Sequence, residues 1–132
     1  MIFVTTSRKP APELRTFGKD LAFTLRGQYY PRGKAGLSEI LDPEALVILV
    51  FKQGRTFRFE VYQQGEVVAN VLFSSFSVET RHGDLVYGLR TGNQTLYESL
   101  GRYLNVLKTE GASSTLEFDG PQRRHYILRL NR

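Results

Sequence analysis

The residues with the clearest chemistry in this sequence are the basic and aromatic side chains of its first 36 positions. This segment carries seven Lys and Arg residues against two acids, whereas the other 96 residues carry eleven of each sign. The formal net charge of +5 therefore belongs to the first quarter of the chain. Guanidinium and ammonium groups attract phosphates, and tyrosine rings stack on unpaired bases. The composition favours a nucleic acid or another anionic partner.

Acid–base or metal chemistry has much weaker support. His82 and His125 are the only histidines, there is no cysteine, and the acids are spread singly among basic and apolar residues. The sequence contains no HExxH, GxSxG or GKS/T motif. His82 suits a turn beside Gly83, and His125 suits the start of a strand. We expect no catalytic residues, no metal and no cofactor, and a metal-dependent ribonuclease using His125 is the less favoured alternative.

A short strand and a helix are expected to position the first basic residues. Residues 2–6, IFVTT, are β-branched and aromatic, which is typical of a buried strand. The Thr5–Ser7 cluster offers N-cap oxygens, and Pro10 and Pro12 suit a first helical turn. We therefore predict a helix from Pro10 to Leu25, ended by Gly27, whose N-terminus near Ser7 favours a phosphate.

The predicted helix has two separate faces. A spacing of 100° per residue groups its core residues on one side, namely Leu14, Phe17, Leu21 and Leu25. The basic residues of the same helix form a second stripe, roughly 120° away, made of Arg15, Lys19 and Arg26. Phe23 lies on the predicted wet side and is expected to pack under a loop or against a partner. The basic stripe could follow a sugar-phosphate backbone.

An aromatic and basic loop follows the helix. Residues 28–36, QYYPRGKAG, combine two tyrosines and a proline turn with Arg32 and Lys34. Adjacent residues of an extended chain point to opposite sides, so we expect one tyrosine in the core and the other facing a ligand. The outward tyrosine could stack on an unpaired base.

The rest of the chain alternates strands with a second helix. Residues 45–51 form a continuous apolar run, which predicts a central strand covered on both faces. A hairpin is expected around Gln64-Gly65. Further elements are a short helix at 37–42, a strand at 84–90, a helix at 93–108 capped by Asn93 or Thr95, and strands at 115–119 and 125–130. The pattern predicts one α/β domain, residues 1–132, with a mixed sheet.

The motifs of the first stretch resemble the Brix domain. VTTSRKP, the helix containing FGKDLA, and YYPRGK followed by LSEIL are similar to the single-domain archaeal relatives of a small-subunit processome protein of eukaryotes. The resemblance implies a fold of two similar halves, each like the anticodon-binding domain of class IIa aminoacyl-tRNA synthetases. By position it extends to two short segments, Thr6–Lys9 and Arg32–Lys34.

The resemblance also implies a role in ribosome biogenesis, with precursor ribosomal RNA and possible assembly proteins as partners. No membrane partner is expected, because no apolar run approaches the roughly 20 residues that a membrane helix requires. The compartment would be the cytoplasm of an archaeon or the nucleolus of a eukaryote. Resemblance and charge together give the candidate RNA-binding residues, which are Ser7, Arg8, Lys9, Arg15, Lys19, Arg26, Tyr30, Arg32, Gly33, Lys34, Arg123 and Arg124.

Two further expectations concern surfaces outside the first stretch. A C-terminal basic group, made of Arg123, Arg124, Arg129 and Arg132, would join the first group if the last strand lay beside the first. Alternatively, the protein is a scaffold within a ribonucleoprotein, in which the strand at 45–51 or the hairpin starting at Arg55 offers an edge for strand addition. The sequence leaves the oligomeric state open.

Overall fold

The computed structural model describes residues 1–7, 10–31 and 45–131, which form two helices packed on a nine-stranded sheet. The helices are α1, Pro12–Thr24, and α2, Gln94–Gly101. The strands β1 to β9 are, in chain order, Ile2–Thr6, Gln28–Tyr29, Leu46–Gln53, Thr56–Gln63, Glu66–Thr80, Leu89–Thr91, Val106–Lys108, Thr115–Asp119 and Arg124–Leu130. The predicted α/β class with a mixed sheet is confirmed.

The strand order of the sheet is β2-β1-β3-β4-β5-β9-β8-β6-β7. β1 pairs in parallel with β2 and β3, and β6 pairs in parallel with β7, while the other pairings are antiparallel. Each end of the sheet is therefore a strand-helix-strand unit, β1-α1-β2 at one end and β6-α2-β7 at the other. The 15-residue strand β5 lies between them and pairs with β4 through its first half and with β9 through its second.

All four residues of the predicted apolar face of α1 are buried in the core. Phe17 is at the centre, with ring centroids 4.9 to 5.6 Å from the aromatic rings around it, which are Phe73, Phe76, Phe118 and Tyr126. Leu100 in α2 and Leu104 just after it belong to the same continuous core. Aromatic burial on this scale fixes α1 firmly on the sheet.

The start of α1 differs from the prediction. The helix begins at Pro12 with Ala11 as its N-cap, and no side chain caps it. The Thr5–Ser7 cluster serves the sheet instead, since the Ser7 N–H donates to the Val50 carbonyl (3.1 Å) and Thr5 Oγ1 donates to the Tyr30 carbonyl (2.6 Å). The predicted N-cap near Ser7 is wrong, because the helix end lies at Ala11–Pro12 instead. A role of Ser7 in binding stays a prediction.

Two elements of the second half are shorter than predicted. Asn93 caps α2 as expected, its Oδ1 accepting from the Leu96 N–H at 2.9 Å, but the helix ends at Gly101 rather than Lys108. Residues 106–108 instead form the edge strand β7, because pairing with β6 buries Val106. The strand predicted at 84–90 is ordered as a strand only from Leu89, since the Val86 N–H donates to the Asp119 carboxylate rather than to a neighbouring strand.

The middle of the chain follows the prediction closely. The apolar run at 45–51 lies in β3, and β4 and β5 form the hairpin, with Gln64 and Gly65 both at positive φ in its turn. β3 is an interior strand, but the centre of the sheet is β5. Because β3 and β4 each have a strand on both sides, neither offers the open edge that strand addition needs, and that expectation is wrong. The helix predicted at 37–42 lies outside the described residues.

Candidate nucleic-acid interface

The solvent face of α1 carries the predicted basic stripe. Arg15, Lys19 and Arg26 are all exposed, on the side away from the buried face. Arg15 and Lys19 lie within α1, and Arg26 lies in the turn just after its end. The Lys19 ammonium lies 5.9 Å from the centroid of the Tyr29 ring, and the Arg26 guanidinium lies 4.2 Å from that of Tyr87. A tyrosine ring therefore lies beside each of these two cations of the stripe.

The end of α1 is set by a tight turn in which Arg26 has a φ of +56°. The Gly27 N–H donates to the Ala22 carbonyl (2.9 Å) and the Arg26 N–H to the Phe23 carbonyl (3.1 Å). This is the Schellman pattern, in which the left-handed residue is usually glycine. Gly27 has a different role, because a Cβ there would collide with the backbone carbonyl of Ile2. The predicted end of the helix is correct within about two residues.

The described residues beside the two motifs lie at the carboxyl ends of neighbouring strands. β1 and β2 are parallel neighbours, so Ser7 and Tyr30 follow their carboxyl ends side by side, and the Tyr30 N–H donates to the Val4 carbonyl (2.8 Å). Five candidate residues near them, Arg8, Lys9, Arg32, Gly33 and Lys34, lie outside the described residues. Their role in binding stays a prediction. What the structure adds is that Ser7 and Tyr30, described residues next to these motifs, follow neighbouring strands.

The two tyrosines of the loop separate as expected. Tyr29 is half-buried, packs against the core, and its hydroxyl is 3.1 Å from Thr6 Oγ1. Tyr30 is 38% exposed. A Cβ on Gly18 would lie 3.0 Å from both Thr6 and Tyr29, so the absence of a side chain at Gly18 lets α1 approach the β1–β2 pair closely. Tyr30 is the ring available to a ligand.

The C-terminal basic group contacts α1 through Arg124. β9 is separated from β1 by three strands, so the condition under which the two basic groups would join, adjacency of the first and last strands, is not met. Arg124 instead forms a bidentate ion pair with Asp20 on α1, through Nε at 2.7 Å and Nη2 at 3.0 Å, and the Tyr126 hydroxyl donates to the same carboxylate. Hydrogen bonds to Asp20 raise the pKa of the Arg124 guanidinium. The pKa of the Tyr126 hydroxyl is raised mainly by burial and further by the same Asp20 carboxylate.

This pairing separates two candidate residues that are adjacent in the chain. Asp20 is 3% exposed, so Arg124 neutralises a buried carboxylate and holds α1 on the β8–β9 hairpin. Arg123 is exposed, in a turn where both it and Gln122 have positive φ. Of the two, only Arg123 presents its side chain freely to solvent. Arg132 lies outside the described residues.

A charged network around His125 lies on β6, β8 and β9. His125 Nδ1 is 2.7 Å from Asp119 Oδ1 and His125 Nε2 is 2.9 Å from Glu117 Oε1, while Arg90 Nη2 is 2.7 Å from Asp119 Oδ1. Residues 117, 119 and 125 occupy alternate positions on two strands joined by a tight turn, so they share one face of the sheet. This spacing was the signal of the network that the sequence offered. The two carboxylates contact opposite ring nitrogens, so they cannot converge with the imidazole on one cation.

The electrostatics of this network are those of a structural ion cluster. Burial alone would raise the pKa of Asp119, but hydrogen bonds from His125 and the Val86 N–H, with the Arg90 charge, outweigh it, and the pKa lies below its usual value. His82 is exposed in the loop after β5. Across residues 1–7, 10–31 and 45–131, no group of three or more His, Asp or Glu side chains is arranged to hold a metal ion.

In the same described part of the chain, no helix is long and apolar enough to cross a membrane.

Known proteins resemble this chain in fold. No protein-family model matches the sequence, and no curated protein matches it either. Among solved structures, it is similar to Mil, an archaeal Imp4-like protein, with a TM-score of 0.72 and 20% sequence identity. The match covers 100% of this chain and 97% of that one. At this level of identity the likeness establishes a shared fold, with a large mixed sheet and the same extent of chain.

Proposed function

We propose that this protein is a non-catalytic RNA-binding factor of the Brix type that acts in ribosome biogenesis, where it binds precursor ribosomal RNA during processing and subunit assembly. The observation that carries the proposal is the exposed cationic face of α1, which Arg26 continues just beyond the helix end and which is bordered by tyrosines. The motifs VTTSRKP and YYPRGK, and a fold shared with an archaeal Imp4-like protein, support the assignment to ribosome assembly. We propose a cytoplasmic location on the same grounds.

Binding would be largely electrostatic. Each Lys or Arg that neutralises a phosphate releases a counterion, so affinity falls as salt rises. The contact set includes Arg15, Lys19 and Arg26 on α1, Tyr30 at the adjoining edge, and Arg123 on the β8–β9 turn. Ser7 and the five motif residues outside the described part complete the proposed surface. Arg124 contributes by holding α1 in place.

Crosslinking in cells, followed by sequencing of the bound RNA, tests the proposal. We expect the crosslinked reads to be enriched in precursor ribosomal RNA, including spacer sequences that mature ribosomes lack. Reads spread over messenger and transfer RNA in proportion to their abundance would contradict a role in ribosome assembly. An RNA-free crosslinked fraction would contradict RNA binding altogether.

A second experiment separates this proposal from the hypothesis that the protein is a scaffold. A protein that reaches its partners through RNA releases them when the lysate is treated with nuclease, whereas a direct scaffold retains them. We expect release. The ribonuclease hypothesis predicts RNA cleavage that requires a divalent cation and His125. We expect RNA to stay intact after long incubation with magnesium or manganese.

The two strand-helix-strand ends of the sheet, β1-α1-β2 and β6-α2-β7, support a further part of the proposal. We propose that the two halves of the fold are duplicated units of the anticodon-binding type. A duplicated origin agrees with two parallel units at opposite ends of one sheet.

A further inference from the structure

A cluster outside the predicted site joins the C-terminal end of α1 to the loop before β6. We call it the Tyr87 platform; it consists of Phe23, Arg26 and Tyr87. The Arg26 guanidinium lies 4.2 Å from the Tyr87 ring centroid, and the Phe23 and Tyr87 rings are 5.4 Å apart with their planes at 39°. Phe23 and Tyr87 are half-buried and Arg26 is exposed, so the guanidinium forms the outer layer of the stack.

The backbone holds Arg26 in an unusual conformation. Its φ of +56° is one that glycine adopts without strain and that other residues adopt at a cost. Glycine is the usual residue at this position of a Schellman turn. An arginine here makes the turn less favourable, yet it aims the guanidinium over Tyr87. The cost is explained if the side chain has a binding role.

Tyr87 is held from both sides. Residues 81–88 connect β5 to β6, and their two ends are fixed by hydrogen bonds, the Arg81 N–H to the Arg123 carbonyl at 2.7 Å and the Gly88 N–H to the Thr24 carbonyl at 2.9 Å. The Val86 N–H donates to Asp119 Oδ2 at 3.0 Å. Tyr87 therefore sits beside two fixed residues, which pre-organises its ring against α1.

We infer that the Tyr87 platform binds an unpaired base of the RNA, which stacks on the outer face of the Arg26 guanidinium with Tyr87 beneath it. Bases of single-stranded RNA are commonly held on guanidinium planes and aromatic rings. The platform continues the basic stripe of α1, so a strand whose phosphates contact Arg15 and Lys19 would bring a base to Arg26. The inference rests on the proposed function and adds to it a preference for single-stranded over duplex RNA.

Two substitutions at Arg26 separate the effect of its guanidinium from that of its backbone conformation. Arg26→Gly removes the guanidinium and relieves the backbone, so its thermal unfolding midpoint should equal or exceed that of the wild type. Arg26→Lys keeps the charge but removes the stacking plane. Tyr87→Ala removes the supporting ring, while Tyr87→Phe keeps it and is the matched control.

The measurement is fluorescence anisotropy with a labelled single-stranded RNA and with the duplex of the same sequence. We expect Arg26→Gly, Arg26→Lys and Tyr87→Ala to bind the single strand about tenfold more weakly, a plausible size for one stacked base. Duplex affinity should change by less than threefold in Arg26→Lys and Tyr87→Ala, and Tyr87→Phe should bind both RNAs as the wild type does.

Three results would overturn the inference. Single-strand affinity unchanged in both Arg26→Lys and Tyr87→Ala would remove the platform and leave the proposed function standing. Loss of a protein partner from nuclease-treated lysate, with RNA affinity unchanged, would assign the platform to protein binding. Absence of RNA binding by the wild type would overturn both the inference and the proposed function.

Discussion

Arg124 shows how adjacent arginines can have different roles. Its guanidinium makes two hydrogen bonds to Asp20, whose side chain is 4% exposed. Removing one partner of a buried ion pair leaves an uncompensated charge. We expect Arg124→Ala to lower the free energy of unfolding by about 2 kcal/mol, a value reduced from that of a fully buried pair because Arg124 is partly exposed.

Denaturant unfolding of Arg124→Ala and Arg123→Ala measures this difference. Arg123 has no described partner for its side chain, so Arg123→Ala should change the free energy of unfolding by less than about 0.5 kcal/mol. Equal losses in the two variants would contradict the assignment of Arg124 to α1 docking.

Asp119 makes stability depend on pH. A carboxyl whose pKa is lowered in the folded state stabilises the protein above its unfolded pKa, about 3.9 for Asp. That contribution is lost as the pH falls through the lower folded-state pKa. We expect Asp119→Asn to be less stable than the wild type by about 2 kcal/mol at pH 7. The difference should shrink below about pH 4.

Unfolding free energies measured from pH 2 to pH 7 test this expectation. The matched control is Glu79→Gln, because Glu79 is an exposed acid opposite His125 on β5 that makes no described ion pair. A difference between wild type and Asp119→Asn that stays constant across this range would contradict the role given to the Asp119 charge.

At the scale of elements, the close approach of the α1–β2 connection to β1 depends on Gly27. A Cβ there would collide with the Ile2 carbonyl, which is backbone and cannot rotate away. We expect Gly27→Ala to lower the free energy of unfolding by about 2–3 kcal/mol, in the range of other overpacked sites. Gly101 at the end of α2 has open space around it, so Gly101→Ala should be neutral or stabilising by about 0.5 kcal/mol.

Thermal and denaturant unfolding of these two variants provide the measurement. Equal effects of alanine at both glycines would show that the backbone contact with Ile2 does not limit packing. Strong destabilisation by Gly101→Ala would indicate that α2 has contacts at its end that the space around Gly101 does not suggest.

The elements predicted correctly are those whose pattern is local. The two faces of α1 follow from its own 3.6-residue period, and the β4–β5 hairpin from its Gln64-Gly65 turn. The N-cap at Thr5–Ser7 was wrong because neighbouring strands use those groups, and the end of α2 was wrong because β7 pairs with β6. Both errors arise from partners that are distant in sequence.

The same limit applies to the candidate site. The stripe of α1 and the outward Tyr30 were predictable from spacing alone. The contact between Arg26 and Tyr87 joins residues 61 positions apart, and that between Asp20 and Arg124 joins residues 104 apart. Sequence patterns carry no information on such pairs, so Tyr87 was missed and Arg124 was grouped with the binding residues.

At the scale of the whole molecule, α1 connects the regions that the sheet keeps apart. It packs on β1 and β2 at one end of the sheet and reaches the β8–β9 hairpin through Asp20 and the loop before β6 through Thr24. The proposed surface is therefore centred on a helix and its two flanking segments rather than on a sheet face. The charged network around His125 lies outside that surface but touches it at one point, where Asp119 accepts from the Val86 N–H beside Tyr87.

The most direct test of RNA binding by α1 is the salt dependence of RNA affinity in two matched triple variants. One replaces Arg15, Lys19 and Arg26 with Gln, and the control replaces the exposed Arg102, Lys108 and Arg129 with Gln, so that each lowers the formal net charge from +5 to +2. Anisotropy with one single-stranded RNA at increasing salt gives the slope of log K against log salt.

For single strands the slope changes by about 0.7 per phosphate contact, so the α1 variant should lose about 1.4 from its slope through the phosphate contacts of Arg15 and Lys19. The control should keep the wild-type slope within about 0.5, because it removes no phosphate contact. An equal loss in both variants would mean that only overall charge matters, and an unchanged slope in the α1 variant would contradict the proposed interface.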